Sequence, residues 1–220
     1  MLQSSTLRFL ATLKKNNNKA WFEENRNLYE NAKEDFSLMV EALIKAIARF
    51  DEPIGLLKPK DCTFRINRDV RFSSDKTPYK SNMAAAFSKG GKKAMVAGYY
   101  FHCEPGQSFT AGGFYNPLPD QLAKIRQEID YNFDDWMKIV NTKRFKSQFP
   151  KGVQGTGILV RPPKGYDENS PALLFLKMKG FIVTSEFSDA ELLEKDAVKK
   201  VALSFEAMKP MIDFLNRAVE

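Results

Sequence analysis

The sequence predicts an α+β fold: a single domain in which a mainly antiparallel sheet is packed with helices from the N- and C-terminal parts of the chain. Three observations carry this. Apolar residues recur at helical spacing through residues 1–52, the period falls to two across 62–115, and the helical period returns with additional strand-like runs over 118–220. No polar, Pro-rich or Gly/Ser-rich stretch long enough to be a linker separates these regions. One core over residues 1–220 is therefore expected, with 43% hydrophobic residues and 18 Phe to fill it.

Ser4 and Ser5 offer N-caps for a first helix, with Phe9, Leu10 and Leu13 on its inner stripe and "KKNNN" ending it. Asn18 can cap a long second helix whose inner face reads Phe22, Tyr29, Phe36, Met39, Val40, Leu43, Ile44 and Ile47, until Pro53 forbids continuation. Trp21 and Phe22 on this helix are assigned to core packing. From Cys62 onwards "TFRINRDVRF", "NMAAAFS", "MVAGYYFHCE" and "QSFTAGGFY" read as four short strands. Their connections are too short for parallel crossovers, so neighbours should be antiparallel. After "NPLPD" a helix starting near Pro119 carries Leu122, Ile125 and Ile129 on one side, followed by shorter helices in "FDDWMKIV" and "TKRFKSQF". "VQGTGILVRPPKGY" reads as a strand and a loop, and "PALLFLKMKGFIVTSEF" as a short helix or turn leading into a strand. Asp189 or Asp196 can cap the last helical stretch, which reaches Val219.

Composition removes several functions. No run of 18 apolar residues and no signal-peptide-like amino terminus is present, so a soluble cytoplasmic protein without a membrane partner is expected. Cys62 and Cys103, each in a strand-like context, are expected as buried free thiols. One His, no Cys pair at ligand spacing and no tight carboxylate cluster leave a metal site without ligands. Neither GxGxxG nor GxxxxGK[ST] occurs, and no cofactor is expected.

The net charge of +7 is local: between Lys58 and Lys93 stand ten Lys or Arg against three Asp, which accounts for the whole excess. Its centre is "RINRDVRFSSDKTPYK", Arg65 to Lys80. On a strand, Arg65, Asn67, Asp69 and Arg71 would share one face and Ile66, Arg68, Val70 and Phe72 the other. Neighbours on a face lie about 6.6 Å apart, within reach of a carboxylate between two guanidinium groups. Asp69 cannot neutralise both flanking arginines, and the remaining charge makes Arg65 and Arg71 candidate anion ligands, with Asp69 as their organiser. Arg68, on the apolar side, needs a partner. Either a carboxylate from a helix, such as Glu23, Glu24 or Glu30, makes it a structural pin, or the strand is bulged and all three arginines converge on one cleft. In "SSDKTPYK", Asp75 can close a turn through its carboxylate and Pro78 stiffens the chain, so both are structural, while Lys76, Tyr79 and Lys80 are held ready for a ligand.

The order of "FLATLKKNNNKAWFEENRNLY", "RINRDVRFSSDKTPYKSN", "GYYFHCEPGQSFTAGGFYNP" with "LAKIRQEI", and "LKMKGF" resembles the uncharacterised family catalogued as domain of unknown function 2461. The resemblance runs from about Phe9 to Phe181. It implies a single soluble domain found widely in microbes, and it brings no activity, substrate or catalytic residue. Positions that match the pattern are Trp21, Phe22, Arg65, Arg68, Asp69, Arg71, Phe72, Asp75, Lys76, Pro78, Tyr79, Lys80, Gly112, Gly113 and Lys177.

Two other places invite chemistry. Gly112 and Gly113 in "TAGGFYNP" lie at a strand end before a helix, where backbone N–H groups can approach an oxyanion; a β-bulge is the alternative. His102 reads as a half-exposed strand residue whose ring Glu104, on the same face, can orient. The functional expectation is a domain that binds a phosphorylated or carboxylated small molecule through the Arg/Lys cluster. An enzyme acting on such a ligand at the same site and a nucleic-acid-binding module are the alternatives.

Overall fold

A computed structural model describes residues 1–220 and contains ten helices and a four-stranded antiparallel sheet, the α+β composition expected. The strands are β1 (Met83–Phe87), β2 (Gly98–Cys103), β3 (Ser108–Phe114) and β4 (Phe181–Phe187), paired in the order β1-β2-β3-β4. Along β2 the alternation is complete: Tyr99, Phe101 and Cys103 are buried, whereas Gly98, Tyr100 and His102 are not. The β2–β3 connection is a tight turn over Glu104–Gln107 in which the Gln107 N–H donates to the Glu104 carbonyl at 2.9 Å. Pro105 supplies its fixed φ and Gly106 the left-handed position at φ 72°.

Two expected strands are absent. Residues 63–72 make only isolated antiparallel bridges, Thr63 with Ala85 and Asn67 with Tyr79. Beyond Arg68 the backbone is turned by carboxylates: the N–H groups of Arg71 and Thr77 donate to the side chains of Asp69 and Asp75. Residues 153–160 likewise form only the bridges Gln154–Ile182 and Ile158–Met178, with Gly155 and Gly157 interrupting any continuous side-chain face.

Internal contacts group the chain into two compact units. The first comprises Met1–Lys92, Tyr100–Thr110 and Glu186–Leu203. It opens with α1 (Ser4–Lys15), which buries Phe9, Leu10 and Leu13 as expected but is not capped by its own serines. Asp35 does that work from α3 (Arg26–Ile47), accepting from the Gln3 N–H at 2.9 Å and the Thr6 hydroxyl at 2.5 Å. The long second helix is divided into α2 (Lys19–Glu24) and α3, because the Asn25 side chain folds back onto the Trp21 carbonyl at 2.9 Å and its backbone leaves helical geometry. Phe36 of α3 stacks on Phe101 of β2 with centroids 6.0 Å apart, which ties the helix to the strand. Cys62 ends the short helix α4 (Pro59–Cys62) and is not in a strand. Cys62 and Cys103 are free and buried, and burial pushes their thiols to about 11 and about 12.

The second unit comprises Lys93–Tyr99, Ala111–Ser185 and Ser204–Glu220. It contains α5 (Pro119–Tyr131), α6 (Phe133–Val140), α7 (Lys143–Gln148) and α8 (Leu173–Leu176). Trp136 of α6 is fully buried against Phe175, Phe181 and Phe214 at 5.4, 6.2 and 5.1 Å. Ser188, and not Asp189, caps α9 (Asp189–Leu193) through a reciprocal box with Glu191. The last helix, α10 (Ala197–Arg217), begins directly after Asp196. No helix is long and apolar enough to cross a membrane.

Candidate functional site

The cationic motif is an irregular hairpin within the first unit. Its arms, around Thr63–Arg68 and Pro78–Ala85, are joined by Phe64 N–H to Ala84 O, Lys80 N–H to Ile66 O and Arg68 N–H to Pro78 O at 3.0, 2.8 and 2.9 Å. The three asparagines of "KKNNN" anchor it. Asn16 closes α1, and Asn18 accepts from the Trp21 N–H to cap α2, as expected. Between them Asn17 pairs with both backbone groups of Tyr79, donating to its carbonyl at 2.9 Å and accepting from its N–H at 3.1 Å. The Tyr79 ring lies flat on Phe22, centroids 3.9 Å apart, and Phe9 packs on Trp21. Trp21 and Phe22 are thus part of the aromatic packing beneath the hairpin.

Within the tip most cations already have partners. Arg71 and Asp69 form a bidentate pair at 2.9 and 2.7 Å, both side chains largely in solvent. Lys76 donates to the Val70 carbonyl at 2.9 Å. Arg68, which is not surrounded by apolar side chains, meets Asp75, Thr77 and Ser73 of its own loop, and none of Glu23, Glu24 or Glu30 is its partner. The expectation failed because the chain turns back beyond Val70 and the loop folds its own acid onto the guanidinium. That contact, with the N–H and hydroxyl of Thr77, holds the Asp75 carboxyl down at about 2. Being depressed below its unfolded value of about 3.9, this group adds stability above pH 4 that is lost as pH falls towards 2. Asp75→Asn is expected to lower the thermal midpoint at pH 5 and to converge on the wild type near pH 2. A pH-independent difference would show that the charge is not what matters.

Two cavities adjoin the hairpin, and Asn82 lines both. The first, of about 330 Å³, has an apolar wall of Tyr29, Phe36, Phe64, Ile66 and Met83, and three cations: Lys33, Lys60 and Arg65. No carboxylate lines it. Tyr29, Lys33, Phe36 and Ser37 reach it from one face of α3 at i, i+4, i+7 and i+8. Lys60 comes from α4, which the Lys92 ammonium holds by donating to the Lys60 carbonyl at 2.6 Å. Arg65 makes no ion pair. Its field is felt by Lys80, whose ammonium is held below its ordinary value by burial and then by the Arg65 charge. The second cavity, of about 340 Å³, is polar throughout its lining except for Tyr79, with Lys14, Arg68 and Lys80 facing Asp75.

The nominated ligand residues therefore do not converge. Arg65 lines the first cavity, and Tyr79 and Lys80 line the second, where the Lys80 ammonium also donates to the Arg65 carbonyl at 2.9 Å. Asp69, Arg71 and Lys76 line neither. Gly112 and Gly113 belong to the second unit, line neither cavity and are buried for packing, against the Met208 side chain and the Phe181 carbonyl. Of the structural residues, Asp75 braces the loop, and the Pro78 carbonyl accepts from Arg68. Lys33 and Lys60 escaped the sequence reading; the only hint was the placement of Lys33 on the Tyr29–Phe36 face.

Glu104 orients the His102 ring as expected, at 3.1 Å from Nε2, but the side chain is 12% exposed and not half-exposed, because Phe109 stacks on the ring at 4.7 Å and the Tyr100 hydroxyl lies 3.3 Å from Nδ1. Glu104 also accepts from Lys14 and from the Ser81 hydroxyl, both at 3.0 Å. Burial raises its carboxyl, yet hydrogen bonds from His102, Lys14 and Ser81 outweigh this and hold it below its ordinary value.

No curated protein and no solved structure matches the chain. A family profile matches residues 5–214, which include both arms of the hairpin and both cavities, and the chain belongs to the family described as Conserved hypothetical protein (DUF2461).

Proposed function

We propose that this protein binds an anionic small molecule, phosphorylated or carboxylated and carrying an apolar or aromatic portion, in the cavity between α3, α4 and the arginine hairpin. One observation carries the reading: Lys33, Lys60 and Arg65 line an apolar-walled cavity that no carboxylate lines, and of the three only Lys33 is already paired, with Glu30 at 3.1 Å on its own helix. Such a cavity favours an anion electrostatically and leaves a hydrophobic surface for the rest of the ligand. A cytoplasmic setting suits this reading and the two reduced thiols. A ligand at ten times its dissociation constant raises stability by about 1.4 kcal/mol, visible as a shift in thermal midpoint. Nucleotides, sugar phosphates and dicarboxylates, screened at constant ionic strength, should include at least one that produces it. Arg65→Gln and Lys60→Gln should lose the shift, while Arg71→Gln, outside the cavity, should keep it. No stabilising anion, or an equal response in all variants, sinks the reading.

A second reading has its own observation. Phe72, 97% exposed, stands beside Arg71, whose guanidinium carbon is 5.9 Å from the ring, at the tip of the basic hairpin. An exposed aromatic with adjacent cations is a stacking platform for single-stranded nucleic acid. Binding of a mixed-sequence oligonucleotide should then fall by orders of magnitude between about 50 and 200 mM salt and be lost in Phe72→Ala. Indifference to both changes removes it.

A further inference from the structure

The polar cavity differs in kind from the apolar-walled one. Lys14 enters it from the end of α1, Arg68 and Lys80 from the two arms of the hairpin, and beside Asp75 and the Tyr79 ring the lining supplies Asn17, Thr77, Ser81 and Asn82. Each cation retains donors. Lys14 uses one N–H on Glu104, Lys80 one on the Arg65 carbonyl, and Arg68 engages its two terminal nitrogens but not Nε. Three cations with spare donors against one lining carboxylate, with the side-chain amides of Asn17 and Asn82 beside them, match a small hydrogen-bonded anion; the Thr77 and Ser81 hydroxyls already donate to Asp75 and Glu104. We infer that this cavity is a second site, separate from the one proposed above, and that it takes a tetrahedral oxyanion: phosphate, free or as the phosphoryl group of an ester.

Glu104 then regulates the site from behind. Its carboxylate holds Lys14 and Ser81, two of the lining residues, and opposes an incoming anion by its charge. His102, bound to its other oxygen, and Tyr100 beyond complete the row of groups facing it along β2.

The test is calorimetric titration of the full chain with inorganic phosphate at low, constant ionic strength, with glycerol 3-phosphate in a second arm. Saturable binding is expected, weakened about tenfold in Lys14→Gln by the loss of one charge-assisted hydrogen bond and tightened in Glu104→Gln. Lys14 is half-exposed at a helix end, so its variant retains the fold; a thermal melt checks this. Lys33→Gln, which alters only the first cavity, should titrate as the wild type does. Phosphate binding that Lys33→Gln abolishes and Lys14→Gln does not would overturn this site and leave the first reading standing. Absence of saturation would overturn it too, without touching ligands of the first cavity that have an apolar portion. If the ester binds with the same pattern of variants, the source is an esterified phosphoryl group; if only the inorganic ion saturates, it is free phosphate.

Discussion

Gly113→Ala is expected to destabilise the protein by about 4 kcal/mol or to prevent folding. A Cβ on this residue would lie 2.0 Å from the Phe181 carbonyl oxygen and 3.0 Å from its carbon, both backbone atoms of the neighbouring strand β4. Backbone cannot step aside as a flexible side chain can, so relief requires β3 and β4 to part. The φ of 126° adds strain for any residue with a side chain. Gly106→Ala is the internal control: it too has positive φ, at 72°, but nothing lies within 4 Å of where its Cβ would stand, so only the conformational cost of about 1 kcal/mol applies. Equal denaturant midpoints for the two variants would show that the β3–β4 approach is not what demands glycine.

Tyr79→Ala is the second large effect, at about 3 kcal/mol, because it removes a ring 6% exposed and stacked on Phe22. The consequence for function is more specific than the loss of stability. Tyr79 is the residue that Asn17 grips by both backbone groups, and the rungs on either side of it are Arg68 N–H to Pro78 O and Lys80 N–H to Ile66 O, the second joining a residue of the polar cavity to one of the apolar-walled cavity. Native-state hydrogen exchange should therefore show the Arg68 and Lys80 amides deprotected in Tyr79→Ala beyond the global change, with anion stabilisation lost in parallel. Tyr79→Phe keeps the stack and should behave as wild type in both measurements. If the two amides keep their protection in Tyr79→Ala, the hairpin is held by something other than this ring.

The anchoring explains why so cationic a segment is ordered. Arg71 and Lys76 are satisfied within the tip and add little to stability, as exposed pairs do. The arms are held from below by aromatic packing and by Asn17. Such an arrangement leaves Arg65 and Lys80 available at fixed positions without requiring a ligand to order them.

The sequence by itself determined which segments bury a helical stripe and which alternate, because periodicity records the side facing a core wherever that core is. It also determined that the thiols would be buried and free, that Asn18 would cap a helix, that Glu104 would meet His102 two residues away, and that Asp75 would turn its own loop. All of these depend on contacts within a few residues or on burial alone. Tertiary structure decided the rest. Ile66, Arg68 and Val70 keep a strand-like alternation of burial, yet the backbone there finds a partner only at scattered positions, and local carboxylates close the tip before a ladder can form. The helix expected to run through Asn25 breaks there, where the Asn25 side-chain amide joins its own N–H on the Trp21 carbonyl and its backbone leaves helical geometry. Which cations share a cavity was beyond local pattern altogether: Lys33 on α3, Lys60 on α4 and Arg65 on the hairpin meet only because three separate elements pack around one apolar wall. Charge density along a chain states how many cations a segment holds, but a cation's partner is whichever acid or cavity the fold brings within a few ångströms of it, and that distance exists only in three dimensions.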